Sequence, residues 1–215
     1  MTDLAFSPAE RDAVYRVIRE RRDMRHFSGG VVEPELLERL LQAAHQAPNV
    51  GLMQPWRFIR IQKAELRERI AELVEQERQR TAEALGERGA QFMELKVEGI
   101  RECAELLVAA LPEGREQHVF GRRTLPEMDL ASLSCAIQNL WLAARAEGLG
   151  MGWVSLFDPQ ALGQLLGLPS DARAVAILCL GPVQAFYERP MLVEQGWATE
   201  RPLSELLFTD GWEQR

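Results

Sequence analysis

Apolar positions along the chain switch between a helical and an alternating rhythm, and the switches mark the elements. Ser7-Pro8-Ala9-Glu10 places a hydroxyl acceptor three residues before a glutamate, with proline at the first helical position, and so predicts a helix start. Val14, Val17 and Ile18 then share one face of a helix over 7–22. A second helix is predicted from Pro34 to about Gln46, with Leu36, Leu37, Leu40, Leu41 and Ala44 inward and Pro48 as its stop. Trp56 to Gln62 alternates apolar and polar residues, which suits a strand. Residues 63–105 are crowded with Glu, Arg, Gln and Leu and read as two surface helices broken near Gly86 and Gly89. Leu106 to Leu111 is a short apolar strand, and the Pro- and Gly-bearing stretch 112–130 is a loop or lid. Residues 131–147 form the most hydrophobic helix, with Ile137, Leu140, Trp141 and Ala144 at helical spacing, and should lie centrally. Met151 to Phe157 and Ala174 to Leu180 are apolar strands, and Asp158-Pro159 caps the helix between them.

Helices and strands in this order predict an α+β fold, a mixed central β-sheet flanked by helices, rather than strict β-α alternation. No internal repeat or linker divides the chain, so one domain spanning 1–215 is expected. Composition narrows the function classes. A formal net charge of -7 argues against nucleic acid and anionic membranes as partners, because both need clustered cations. Positive charge for any bound phosphate must therefore be local. Cys103, Cys135 and Cys179 show no CxxC or Cys/His spacing, which argues against a disulfide framework or a zinc site. Three buried thiols in a reducing cytoplasm are the expectation. No basic segment precedes an apolar run at the N-terminus, and no run approaches about 18 apolar residues, so neither a signal peptide nor a membrane span is expected.

Three clusters carry candidate chemistry. Arg21, Arg22 and Arg25 surround Asp23 just past the first helix, and guanidiniums suit phosphate. A solvated helix end, whose basic residues complement the dipole, is the competing reading. In the turn Pro48-Asn49-Val50-Gly51, backbone amides and the Gln54 side chain could bond a planar heterocycle, unless the segment only joins a helix to a strand with Trp56 in the core. Gly148-Leu149-Gly150-Met151-Gly152 follows a helix and enters a strand, the reverse of a dinucleotide loop. Ser155, in the apolar strand after it, needs a partner, and no nucleophile elbow surrounds it. His26, His45 and His118 lack metal-ligand spacing, and no metal is expected.

The order of these motifs resembles the nitroreductase superfamily: RRDMRHF at 21–27, the AP…QPW turn at 47–56, a central helix ending in EGLG, and Arg201 before Pro-Leu. Within it, APNVGLMQPWRF, LKVEGI, AIQNLWLAARAEGLGMGWVSLFDP and LCLGPVQAFYERPMLVEQGW resemble the 5,6-dimethylbenzimidazole synthase (BluB) family over residues 21 to about 212. The resemblance implies an obligate homodimer with FMN at its interface. Reduced FMN would be the substrate and O2 the co-substrate, yielding 5,6-dimethylbenzimidazole, the lower ligand of cobalamin, and erythrose 4-phosphate. A flavin reductase could supply the reduced FMN. It implies that Arg21, Arg22, Arg25 and Arg201 face the flavin phosphate and polar ring edge. Pro48, Asn49 and Val50 would reach the flavin from the partner subunit, and Lys96 and Gly99 would border it. Val154 and Ser155 would face the isoalloxazine. Asp23, where many nitroreductases carry serine, and Ser155 would be catalytic. Leu52 stands where common nitroreductases have Asn, which weakens the alternative of an NAD(P)H-dependent nitroreductase or corrinoid reductase. A non-catalytic flavin-binding module is a further alternative, and it would need neither Asp23 nor Ser155.

Overall fold

The structure, a computed structural model, describes residues 4–212, so the two ends of the expected 1–215 domain lie outside the described residues. Four strands form one sheet in the order β1-β2-β4-β3: β1 Arg57–Arg60, β2 Glu105–Leu111, β3 Gly150–Val154 and β4 Arg173–Gly181. All three strand pairings are antiparallel. The parallel part of the expected mixed sheet is one isolated bridge, Asp23 to Met151.

After Glu105 and Arg173 at their starts, the central strands are apolar throughout because helices cover both faces. Leu107, Ala109 and Leu111 of β2, with Leu178 and Leu180 of β4, pack in one cluster with α2 (Pro34–His45) and α5 (Met128–Ala146). Leu106, Val108, Ile177 and Cys179 point the other way, into a cluster with α3 (Ala64–Ala84) and α6 (Pro159–Leu166). Ile137, Leu140, Trp141 and Ala144 are all buried, as their spacing predicts. Asp158 caps α6 by accepting from the backbone of Gln160 and Ala161 at 2.8 and 3.0 Å. After α3, a 3-10 turn at Gly86–Arg88 leads into α4 (Gly89–Glu94).

Several expectations are corrected. Helix α1 (Pro8–Glu20) has its capping box but no buried residue: Val14 and Ile18 are 50% and 49% exposed. Its apolar residues lie at the edge of the protomer, with Val17 half-buried and Ile18 lining the cavity described below. Cys103 and Cys179 are buried, but Cys135 is exposed on the outer face of α5. Ser155 lies one residue beyond the end of β3, not within the strand. Stretch 112–130 does not cover the arginine-lined cavity described below. It is pinned instead by Asp129, which accepts from Arg115 and Arg122 at 2.9 and 3.0 Å, and it packs on the turn at Val50-Gly51 through Phe120 and Gly121.

Candidate functional site

The segment Arg21–Arg25 runs along β3, with the Met24 N–H donating to the Met151 carbonyl at 2.9 Å. Glycine allows this approach. A Cβ on Gly152 would strike the Met24 carbonyl and lie 2.6 Å from the Arg25 guanidinium, and one on Gly150 would strike Val183. The glycine run therefore serves backbone packing, while Gly148, at φ +77, turns the chain out of α5.

This packing builds one wall of a cavity of about 600 Å3. Arg19, Arg21, Arg22 and Arg25 line it against only two carboxylates, Asp23 and Glu200. The positive charge that an acidic chain needs for an anionic ligand is thus concentrated here. Thr81, Phe92 and Leu95, from α3 to just past α4, line it too, as do Trp153 to Leu156 after β3 and Leu192 and Trp197 from the C-terminal segment.

The guanidiniums have different employments. Arg25 clasps Asp23 with two bonds of 2.6 and 2.7 Å and also donates to the Trp153 carbonyl at 2.9 Å. Arg22 spends its donors on the carbonyls of Arg19, Arg21 and Glu188, at 2.7 to 2.8 Å, so the helix-end reading holds for it. Its Nε is buried without a partner. The Arg21 guanidinium makes no hydrogen bond or ion pair among the described residues. Its guanidinium lies 4.4 Å from the centroid of the Trp141 ring. Burial lowers its pKa, but an arginine remains charged.

Asp23 also accepts from the Trp153 N–H at 2.9 Å. Burial raises its carboxyl pKa above the ordinary value, while the charge of Arg25 and the Trp153 N–H pull it down without reversing the shift. The side chain retains 43% of its exposure, and that surface faces the cavity. Ser155 borders the same cavity with no hydrogen-bond partner among the described residues. A carboxyl whose pKa burial raises and an uncommitted hydroxyl therefore share one cavity with a guanidinium whose donors are free. Such a set can bind an anion and move protons on a ligand.

Of the residues singled out from the sequence, Arg21, Arg22, Asp23, Arg25, Val154 and Ser155 line the cavity, and the others do not. Lys96 pairs with Glu102 at 2.6 Å and borders a separate cleft of about 300 Å3. Gly99 packs under Arg25, where a Cβ would lie 2.5 Å from the Phe27 ring. Arg201 is exposed and pairs with Glu205 at 3.0 Å. Pro48, Asn49, Val50 and Gln54 form their own turn: Asn49 accepts from the Gln54 N–H at 2.8 Å, and the Val50 N–H donates to Ser132 at 3.0 Å. Trp56 is buried behind this turn and donates to His45 at 3.2 Å. Leu52 and Gln54 both have left-handed backbones, at φ 52 and 48, a costly conformation away from glycine. Sequence reasoning missed Phe92 and Leu95 because it read residues 63–105 as surface helices, and it gave Trp197 no role. The signal was there in large apolar residues among charges.

The nitroreductase family model matches residues 18–182. The chain belongs to the nitroreductase family. It is 40% identical to a 5,6-dimethylbenzimidazole synthase from Rhodospirillum rubrum, covering 92% of this chain and 94% of that protein. Two solved members of similar shape share the fold. A BluB-like flavoprotein from Clostridium difficile 630 has a TM-score of 0.70 at 18% identity, covering 92% of this chain and 99% of the other. Oxidized iodotyrosine deiodinase bound to FMN and 3-iodo-L-tyrosine has a TM-score of 0.67 at 24% identity, covering 82% and 94%. The motifs that suggested the family span the matched region, from the arginine-rich segment to the end of β4.

Proposed function

We propose that this protein is a 5,6-dimethylbenzimidazole synthase, which fragments reduced FMN with O2 to 5,6-dimethylbenzimidazole and erythrose 4-phosphate. The observation that carries the reading is that one cavity joins Asp23 and Ser155 with an uncommitted arginine, in a chain 40% identical to a protein of that name over nearly its whole length.

The cavity suits a flavin mononucleotide on three counts. It has room, it has apolar walls in Phe92, Leu95, Leu192 and Trp197, and it has in Arg21 a cation with free donors for a phosphate. Reduced flavin supplies the electrons for O2 and the carbon of the product. Arg21 binds the phosphate. Arg25 and the Trp153 N–H hold Asp23 in one orientation, so that its carboxyl oxygens can give or take a proton on the ligand. The Ser155 hydroxyl, free of protein partners, relays a proton. The apolar walls give the flavin rings a surface to pack on.

The active form in this reading is a homodimer. What supports it is apolar surface exposed in one protomer: Val14 on α1, and Leu52, Val119 and Phe120 around the strained turn. A second copy would bring Pro48, Asn49, Val50 and Gln54 to a cavity that they do not reach within their own chain. Reduced FMN would come from a separate flavin reductase in the cytoplasm. No described helix is long and apolar enough to cross a membrane.

The test is direct. Purified protein is given reduced FMN in air, and the mixture is chromatographed. Dimethylbenzimidazole with permanent loss of the yellow colour is the expected result. Full return of oxidised FMN without that product would overturn the synthase reading; NAD(P)H oxidation by the FMN-loaded protein would then mark a flavin reductase, and its absence a binding module.

A further inference from the structure

Trp141 lies on the central helix α5, is only 8% exposed, and does not itself line the cavity. Yet it touches the anion-binding segment twice. The Arg21 guanidinium stacks over its ring at 4.4 Å, and its indole N–H donates to the Arg22 carbonyl at 3.2 Å. Trp153 backs it, with ring centroids 6.5 Å apart. We propose that Trp141 is a positioning residue that aims Arg21 at the ligand phosphate, and so sets how strongly the site prefers phosphorylated over unphosphorylated flavin. The inference rests on the flavin reading above.

The argument is one of donors. A guanidinium carries five N–H groups in one plane. A carboxylate partner would orient it but would consume two of them and neutralise its charge, as happens to Arg25 against Asp23. Backbone carbonyls would consume them too, as happens to Arg22. An aromatic face holds the plane through the cation–π attraction and leaves the edge free. Among the three arginines of the motif, only Arg21 is held in this way, and only Arg21 keeps its donors. Burial strengthens the arrangement, because a half-desolvated cation gains more from both the ring and an arriving dianion.

The experiment compares FMN with riboflavin, which lacks the phosphate, by titrating flavin fluorescence against wild type and variants. Trp141→Leu should weaken FMN binding by about tenfold, the order of a partly desolvated cation–π contact, while riboflavin affinity stays within about twofold. Trp141→Phe keeps a ring and fills most of the volume, and should keep the FMN preference to within about threefold. In an Arg21→Ala background, Trp141→Leu should cost FMN nothing further, because the residue acts through Arg21. Equal losses for both flavins would make Trp141 a packing residue only and overturn the proposal. So would a further loss of FMN affinity in the Arg21→Ala background. Wild-type protein that binds neither flavin would sink the flavin reading itself, a different outcome from an unchanged phosphate preference.

Discussion

Asp23 is subject to opposing influences within one carboxyl. Burial favours its protonated form, while Arg25 and the Trp153 N–H favour the ionised one, and the net shift is upward. A raised value means that the folded protein holds this proton more tightly than the unfolded chain does. The stability that this contributes is present at acid pH and is lost as pH rises through the raised pKa. Above the raised pKa the ionised carboxyl is therefore retained at a cost, which is characteristic of a group kept for chemistry. For Asp23→Asn, FMN binding should survive, since Arg21 and the apolar walls remain, and product formation should drop at least ~100-fold, the usual scale of a lost acid or base. Quantifying dimethylbenzimidazole per turnover of reduced FMN checks this, and normal turnover would remove Asp23 from the mechanism. The wild-type pH profile should also carry an ionisation above the ordinary aspartate value of about 3.9, and the variant's residual activity should lack it.

At the scale of elements, the site depends on how closely the 21–25 segment and β3 can approach. The contact is backbone to backbone, through Met24 and Met151, and Gly152 is the point of closest packing. Gly152→Ala must push Met24 and Arg25 away, because the new methyl group meets a carbonyl rather than the tip of a flexible side chain. Overpacking of this kind costs about 1–3 kcal/mol, which for a chain of this size lowers Tm by about 2–12 °C. FMN affinity should fall with it, since Asp23 and Arg25 are displaced together. Calorimetry and flavin titration of the variant test the two halves separately, and unchanged values for both would show that the segment is not held as described. The strained turn at 51–54 makes the opposite case: left-handed backbones at Leu52 and Gln54 are kept where nothing in the protomer's own cavity needs them.

For the whole molecule, the open question is what covers the apolar surface. The Arg115–Asp129–Arg122 network holds the 112–127 segment so that Phe120 is 84% exposed beside Leu52 at 79%. A rigid support with an apolar tip has the character of an interface. A double variant, Leu52→Glu with Phe120→Glu, should therefore convert a dimer into monomers in sedimentation equilibrium and abolish product formation. Its fold should persist, because neither side chain belongs to the core. A variant that stays dimeric would move the interface elsewhere, and a monomeric wild type that still makes dimethylbenzimidazole would remove the need for a second copy.

Short-range regularities settled much of this protein from the sequence alone. Helical spacing put Ile137, Leu140 and Trp141 in the core, Asp158 and Ser7 marked their helix starts, and uninterrupted apolar runs announced the two central strands, because each signal depends on residues a few positions apart. The clustering of Asp23 with arginines was also legible, as was its fellowship with Ser155 through family likeness. Only the tertiary structure decided which arginine stays free. That outcome depends on Trp141, about 120 positions away in the chain, on the Trp153 backbone and on the Glu188 carbonyl, and no local pattern encodes such distant partners. The same holds for Lys96 and Arg201, whose charges are spent on nearby glutamates, and for α1, whose apolar face has the right period but buries no residue among those described. Periodicity states that a face is apolar, whereas packing in three dimensions determines what that face is for.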